Sequence, residues 1–425
     1  MPRISTIRIF SYDFRHSWLA LYVAINVIAT YIMLRSRELI GDAKGGTFQE
    51  DGVLFAAFLI IGLYIILLWP VFNYLYRIKV APFKLTCSDV VIGDRVGWLV
   101  LVLQLLYMAS NLFYGLNIAG AGNIQSGNKL TYIFILLDPD YLFFIYYGIY
   151  RENKLFVPNL VVYMASNLLR GWNGMFLFIL FFETCRSYRS GLLTAKKLTL
   201  ILVISVAFYP IVSSFKWAIR ANAFSKTNVI EIIPNVIDQL GTAEVGELLI
   251  DGIEHMVSRL QSVSLLADVM QRSSQLQADF DANKILPFWL EGLHGLIYDR
   301  LLLGNIFSGG ERMSVGVIYA EYINGFTISD GVGNAAISYP GWFFIAPNLI
   351  PFYILYTIFL GGASIYFVKK ISKSESAKEM VWLVWLLYLL APWLGAMVKF
   401  IYSAAFFAMI QIVMAKIPNL NARRP

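Results

Sequence analysis

The residues in this chain whose types and spacing suit chemistry are mostly cations placed beside apolar runs. Arg170, in Asn167-Leu168-Leu169-Arg170-Gly171-Trp172-Asn173-Gly174, stands between two such runs. A charge at membrane depth is costly and faces a cavity or a partner, and a guanidinium forks onto phosphate through paired N–H bonds. An interfacial arginine reaching for headgroups fits the same position. Lys216 and Arg220, one helical turn apart, and Lys399 either add to the same positive surface or anchor headgroups. His255 and Arg259, at i and i+4 with Ser262 next along, share one strip of a helix. Imidazole and cation side by side suit proton abstraction and phosphate neutralisation, although Arg259 beside Glu254 also suits a surface ion pair. His294, one turn before Tyr298 in a Leu-rich stretch, is either a base or a hydrogen-bonded packing residue. Arg272, Arg300 and Arg312 also suit solvated faces.

Carboxylates and hydroxyls form a second group. Asp138-Pro139-Asp140 lies inside an apolar run, where two carboxylates suit a divalent cation, a sugar hydroxyl or the end of a broken helix. With no third oxygen ligand in view, the helix end is the favoured reading, and three histidines without metal-ligand spacing argue against zinc. We expect neither a metal nor a cofactor, since no phosphate-binding loop or dinucleotide fingerprint appears. Segment 326–348 is rich in Gly and Ser, and Asn334, Ser338 and Tyr339 suit the lining of a sugar site as well as ordinary loop chemistry.

Composition says what must position these groups. The 425 residues are 58% hydrophobic and 14% charged, with a mean hydropathy of +0.64, so the chain reads as an all-α, polytopic membrane protein. Its basic residues sit mostly in short loops beside apolar runs, which argues against nucleic acid as a partner. About ten runs approach the length of a membrane helix: 18–34, 53–75, 97–118, 130–149, 155–169, 171–186, 196–217, 341–367, 379–395 and 399–416. The fifth and sixth are short, and basic residues on both flanks of the pair predict that the chain goes out and back, turning at Arg170-Gly171.

Between 218 and 340 lies the one long mixed stretch, with 7 Lys/Arg against 14 Asp/Glu. It divides the chain into a bundle over 1–217 with about seven spans, a large helical loop over 218–340, and about three spans over 341–425. Outside the long loop, 20 basic residues fall on the side shared by both termini and 7 on the other. That split places the termini in the cytoplasm and the loop outside. Cys87 and Cys185 then both face the cytoplasm, where no disulfide is expected. Within the loop, Leu249, Ile253, Met256, Leu260, Val263, Ala267 and Met270 predict an amphipathic helix over 243–280 with one buried stripe. A shorter helix over 228–240, broken near Pro234, and another over 287–303, opened by Pro287, complete the expectation.

This order of features resembles the Wzy-type O-antigen polymerases, which join oligosaccharide repeat units in the bacterial inner membrane. The features are apolar spans, an Arg-Gly turn between two short helices, one large outer loop with an Arg-bearing helix, and a polar return before the last spans. The resemblance covers about 155–416. In the family a Gly-Ser-Arg-like turn corresponds to Leu169-Arg170-Gly171, with Leu168 and Leu169 in place of small residues, and loop arginines map to Arg259 and Arg312. It implies undecaprenyl-diphosphate-linked repeat units as donor and acceptor, membrane lipid as surroundings, a polysaccharide chain-length regulator as partner, and no cofactor. Arg170 and Arg259 would hold the diphosphate, with Lys216, Arg220 and Arg312 assisting, and His255 or His294 would be the base. The related O-antigen ligases share the layout but carry a functional His near the return to the membrane, which 326–348 lacks. A lipid-linked oligosaccharide flippase is the other alternative, set against a single dominant loop and no detectable repeat.

Overall fold

The computed structural model describes residues 14–44, 46–48, 50–85, 88–114, 133–134, 137–201, 203–205, 260–292, 312–324, 335–390 and 393–418, with single positions at 212, 213, 216, 219 and 234. These residues form helices and no strand, apart from two isolated bridges. Helices α1 (Arg15–Ser36), α2 (Asp51–Arg77) and α3 (Asp89–Tyr114) come first. Three shorter ones follow: α4 (Pro139–Tyr150), α5 (Phe156–Leu169) and α6 (Gly174–Arg189). Then come α7 (Val263–Gln271), α8 (Ser273–Asp281), α9 (Val315–Asn324) and α10 (Gly341–Ile345). Helices α11 (Ile350–Ile371), α12 (Glu375–Val384) and α13 (Leu394–Lys416) close the chain.

Among the described residues, five helices are long and apolar enough to cross a membrane: α1, α2, α3, α11 with the turn before it, and α13. Their apolar side chains are exposed over much of their length, as at Leu59, Ile66, Val102, Leu355 and Phe359. That is the surface of a bundle whose solvent is lipid. Of the other predicted spans, 155–169 and 171–186 fall on helices of 14 and 16 residues, and 196–217 is helical wherever it is described. Within the fourth, α4 covers 12 residues and starts where Asp138 caps it: the carboxylate accepts hydrogen bonds from the backbone N–H of Asp140 and Tyr141, and Pro139 takes the first helical position. At about 1.5 Å per residue α4 is ~18 Å long, α5 ~21 Å and α6 ~24 Å, against ~33 Å for α1.

The predicted turn at Arg170-Gly171 is present and has a definite form. Gly171 takes a positive φ of 70°, its N–H bonds to the carbonyl of Leu168, and the N–H of Trp172 bonds to that of Asn167. This is a Schellman closure, which needs a left-handed residue and therefore favours glycine.

Helix α12 continues as a π-helical stretch, Trp385–Leu389, and stops where Tyr64 Oη donates to the Leu389 carbonyl and the Tyr339 N–H to that of Leu390. Segment 335–346 lies against this break, with Tyr339 stacked on Tyr64 at 4.1 Å and bonded through its hydroxyl to Thr357.

Two loop expectations are corrected. The helix expected over 243–280 is not continuous in its described part: Gln261 and Ser262 are non-helical, and α7 and α8 meet at Arg272. Nor does α7 bury a single stripe. Seven of its nine residues are buried, since it packs against α1, α2, α10 and the short turn Gly41–Ala43. Ser262 N–H bonds to Asn26, halfway along α1, and Ser264 Oγ to the Ile40 carbonyl. Pro287 opens a 3-10 turn, Phe288–Leu290, and not an α-helix. Gly292, at φ 107°, turns the chain because it abuts Gly395: a Cβ there would come within 2.9 Å of the Gly395 Cα. The rest of 287–303, the helix expected over 228–240 and most of 243–259 lie outside the described residues.

Candidate functional site: a buried four-charge cluster at the ends of short helices

Four charges meet where the short helices stop. Arg170, the C-cap of α5, pairs through Nη2 with Asp140 Oδ2 at 2.5 Å. Its Nη1 donates to Tyr107 Oη and its Nε to the Ser166 carbonyl, both at 3.1 Å. The guanidinium also lies 4.7 Å from the Tyr107 ring centroid, a cation–π contact. The other Asp140 oxygen accepts from Asn167 Nδ2. Asp138 uses one oxygen as the cap of α4 and gives the other to Lys399 Nζ, one turn into α13. Tyr141 and Tyr388 join hydroxyls at 3.1 Å beside this pair, which brings in the π-helical stretch.

The cluster balances two cations against two carboxylates and is largely enclosed. Arg170 is 4% exposed and Asp138 is also buried. Enclosed charges persist only when paired and hydrogen-bonded, and here each carboxylate oxygen has a partner. An anionic ligand would find two cations positioned by fixed elements, and a hydroxylated one would find two carboxylates able to accept its protons.

Sequence reading picked out several of these groups singly. Arg170 was a phosphate-binding candidate, and the structure adds that its charge is matched by Asp140. Asp138 and Asp140 were favoured as a helix end; they are that, and they are also the anionic half of the cluster. Lys399, considered as a headgroup anchor, turns inward to Asp138. Lys216 is buried beside the Arg170-Gly171 turn, its backbone carbonyl 3.4 Å from where a Gly171 Cβ would lie.

Other candidates fall elsewhere. Arg312 sits next to the Ile285–Met313 bridge, and its buried Nε has no partner among the described residues. Ser338, at a left-handed φ of 59°, and Tyr339 are buried in the return segment, packed between α2 and α11. His255, Arg259, His294, Arg220 and Asn334 lie outside the described residues.

Sequence reasoning missed Tyr107, Asn167, Tyr141 and Tyr388, since tyrosines on apolar helices read as interfacial rings. Asn167, three residues before Arg170 on the same helix face, was the one local signal.

A second charged group occupies the opposite end of α4. A cavity of about 410 Å³ there is lined by Arg151, Lys154, Glu183, Arg186, Arg189 and Glu379 among others. Arg151 pairs with Glu183, Lys154 with Asp94, Arg186 with Glu152, and Arg189 with Glu379. Outside the spans, Asp279 accepts from Lys284 and Tyr322. Burial alone would raise its carboxyl, but these two hydrogen bonds hold it below the ordinary aspartate value.

No family model matches the chain, and neither does any curated protein or solved structure.

Proposed function

We propose that the chain is a bacterial inner-membrane glycosyltransferase that polymerises undecaprenyl-diphosphate-linked oligosaccharide units. In this reading it has about ten spans, cytoplasmic termini and a loop over 218–340 on the outer side. The observation that carries the reading is the enclosed Asp138, Asp140, Arg170 and Lys399 cluster. Helices of ~18–21 Å rising from the basic, cytoplasmic end reach within, but not across, a ~30 Å hydrocarbon core. Their ends would therefore lie below the outer surface, where a polyprenyl diphosphate enters from lipid with its headgroup at that depth.

The chemistry follows from the groups present. A diphosphate leaving group develops charge as its bond to the anomeric carbon breaks, and preorganised cations in a site of low dielectric stabilise that charge without a metal. Arg170 and Lys399 take this role, with Lys216 beside them and Arg259, Arg220 and Arg312 contributed by the loop and its approach. The diphosphate competes with Asp138 and Asp140 for the cations and leaves the carboxylates to orient sugar hydroxyls, while Asn334 approaches the glycan from a return segment that the buried Ser338 and Tyr339 anchor. His255 and His294 are the sequence candidates for the base. The donor carries its own activation, so no nucleotide is needed.

The test is a gel profile of surface polysaccharide and undecaprenyl-linked glycan from cells lacking the chain, with and without complementation. A lipid core capped with a single repeat unit, restored to a ladder on complementation, is the expected result. Long glycan held on undecaprenyl diphosphate would make the chain a ligase. A transport reading is favoured by one observation, the helices α4, α5 and α12 that stop within the bundle, as discontinuous helices do at transporter sites. Loss of even the single capped unit would select it.

A further inference from the structure

We propose that the basic patch where α2 and α11 end is a binding site for the headgroup of an anionic phospholipid. The patch is separate from the enclosed cluster at the start of α4, and the proposal holds whatever reaction that cluster serves. In the topology proposed above it faces the cytoplasmic leaflet.

Its cations come from two stretches that the fold joins. Residues 76–85 carry Arg77, Lys79 and Lys84, residues 366–378 carry Lys369, Lys370, Lys373 and Lys378, and Glu375 is the one acid in either. Lys369, buried at the end of α11, donates through Nζ to the carbonyls of Tyr76 and Ile78 at 2.8 and 2.6 Å, where the last turn of α2 leaves them unbonded. Beyond that turn the Phe83 N–H bonds to the Lys370 carbonyl, so the segment after α2 lies on the end of α11. Lys79 and Lys84 each follow directly on one of these contacts. Aromatic faces hold the other lysines. The Nζ atoms of Lys369 and Lys378 lie 4.7 and 5.4 Å from the Tyr76 ring centroid, and that of Lys370 lies 5.3 Å from Phe83 and 5.5 Å from Tyr366. Carbonyls and rings orient a cation without cancelling its charge.

The adjoining basic group shows what is unusual here. Arg151, Lys154, Arg186 and Arg189 each meet a carboxylate, and Arg189 also bonds Ser376 in the first turn of α12, so the two groups are neighbours. None of the seven cations of the patch forms an ion pair with a described residue, and Arg77, Lys79, Lys84 and Lys373 are exposed. A surface with that excess of one sign attracts a counter-anion. The side chains beside it select the kind. Tyr74 and Tyr366 are 72% and 46% exposed, and Ile78 and Phe83 are exposed among the cations. A free anion has no use for that apolar rim. A phospholipid uses both: its acyl chains lie along α2 and α11, and its phosphate reaches the cations at their ends.

The experiment uses the full chain in nonionic detergent and counts bound lipid by native mass spectrometry, with phosphatidylglycerol and phosphatidylcholine as probes. Phosphatidylglycerol should bind the more tightly. Lys84→Gln with Lys373→Gln, both at exposed positions, should weaken it about 25-fold, at about fivefold per cation. Lys84→Arg with Lys373→Arg should keep it, and thermal unfolding without added lipid checks that each variant is folded. Lys154→Gln with Arg186→Gln removes as many charges from the paired group and should change it little. Equal retention of the two lipids by the wild type would overturn the proposal, as would equal losses from the two Gln pairs. Full competition by inorganic phosphate at the lipid's own concentration would make the patch a site for free anions and overturn it too. Should the Gln pair at 84 and 373 unfold, the wild-type preference between the two lipids decides alone.

Discussion

Helix Pro139–Tyr150 carries charge at both ends, and the ends differ in what surrounds them. At its start Asp138 and Asp140 meet Lys399 and Arg170 in an enclosed cluster. At its finish Arg151 pairs with Glu183 with both side chains about a third exposed, and Arg186 reaches Glu152, which is 78% exposed. The pairing chemistry is the same, and Arg170 and Asp138 at the start are the more enclosed partners. Where water reaches, an ion pair contributes little because each partner is solvated when alone. Where it does not, each partner depends on the other, and a ligand that displaces one of them must replace its charge. The contrast is one of degree, since Lys399 is a third exposed at the start and Glu379 is buried against Arg189 at the finish; the buried Arg170 and Asp138 make the start the candidate site.

The largest effect expected is from Arg170→Ala. It leaves Asp140 enclosed without its cation, at a cost of about 3–5 kcal/mol, and polymer should be lost even where the protein still reaches the membrane. Detergent unfolding and the polysaccharide profile measure the two effects, and wild-type values for both would erase the contrast between the ends.

Removing both charges sharpens it. Asp140→Asn with Arg170→Gln should be more stable than Arg170→Ala, with a coupling of roughly 0.5–3 kcal/mol in a double-mutant cycle, and should stay inactive. Next in size, Asp138→Asn keeps a capping oxygen but leaves Lys399 without its counter-charge, for an expected loss of about 1–3 kcal/mol.

Asp279 is intermediate, because its partner Lys284 is exposed while the carboxylate is nearly buried. Its folded value lies below the unfolded one, so its contribution is present above the ordinary aspartate value and is lost as pH falls through the folded value. Asp279→Asn should flatten acid unfolding in that window. The smallest effect belongs to Arg186→Ala, expected within about 1 kcal/mol and without change in polymer; a larger loss would show that the exposed end is a site too.

The sequence made the long helices legible because their apolar runs exceed the length of a membrane core. It also gave the turn at Arg170-Gly171, through flanking charges and a glycine, and the start of a helix at Asp138-Pro139. Hydropathy does not say where a helix is capped inside a bundle, so 130–149 read as one run although a capped helix starts at Pro139 within it. Nor does it join partners distant in the chain. Asp140 and Arg170 are 30 positions apart and Tyr141 and Tyr388 are 247 apart, so a favoured helix end concealed half of the cluster. Loop periodicity misled for a related reason: a stripe at Val263, Ala267 and Met270 announces one contact face, whereas α7 is walled in on several sides.

The π-helical stretch Trp385–Leu389 has a consequence for the chain as an inherited text. A π-turn is an α-helix with one extra residue, which advances everything beyond it by about 100°. Tyr388, which reaches Tyr141, is held in that altered phase, while Met380 and Trp382 before it keep the original one. Deleting a single codon anywhere within 385–389 would therefore not merely shorten the helix. It would rewind the helix and swing Leu389 and Leu390, whose carbonyls hold Tyr64 and Tyr339, to another bearing. Here the number of residues sets the helical register, and substitutions should be tolerated where single-residue insertions and deletions are not.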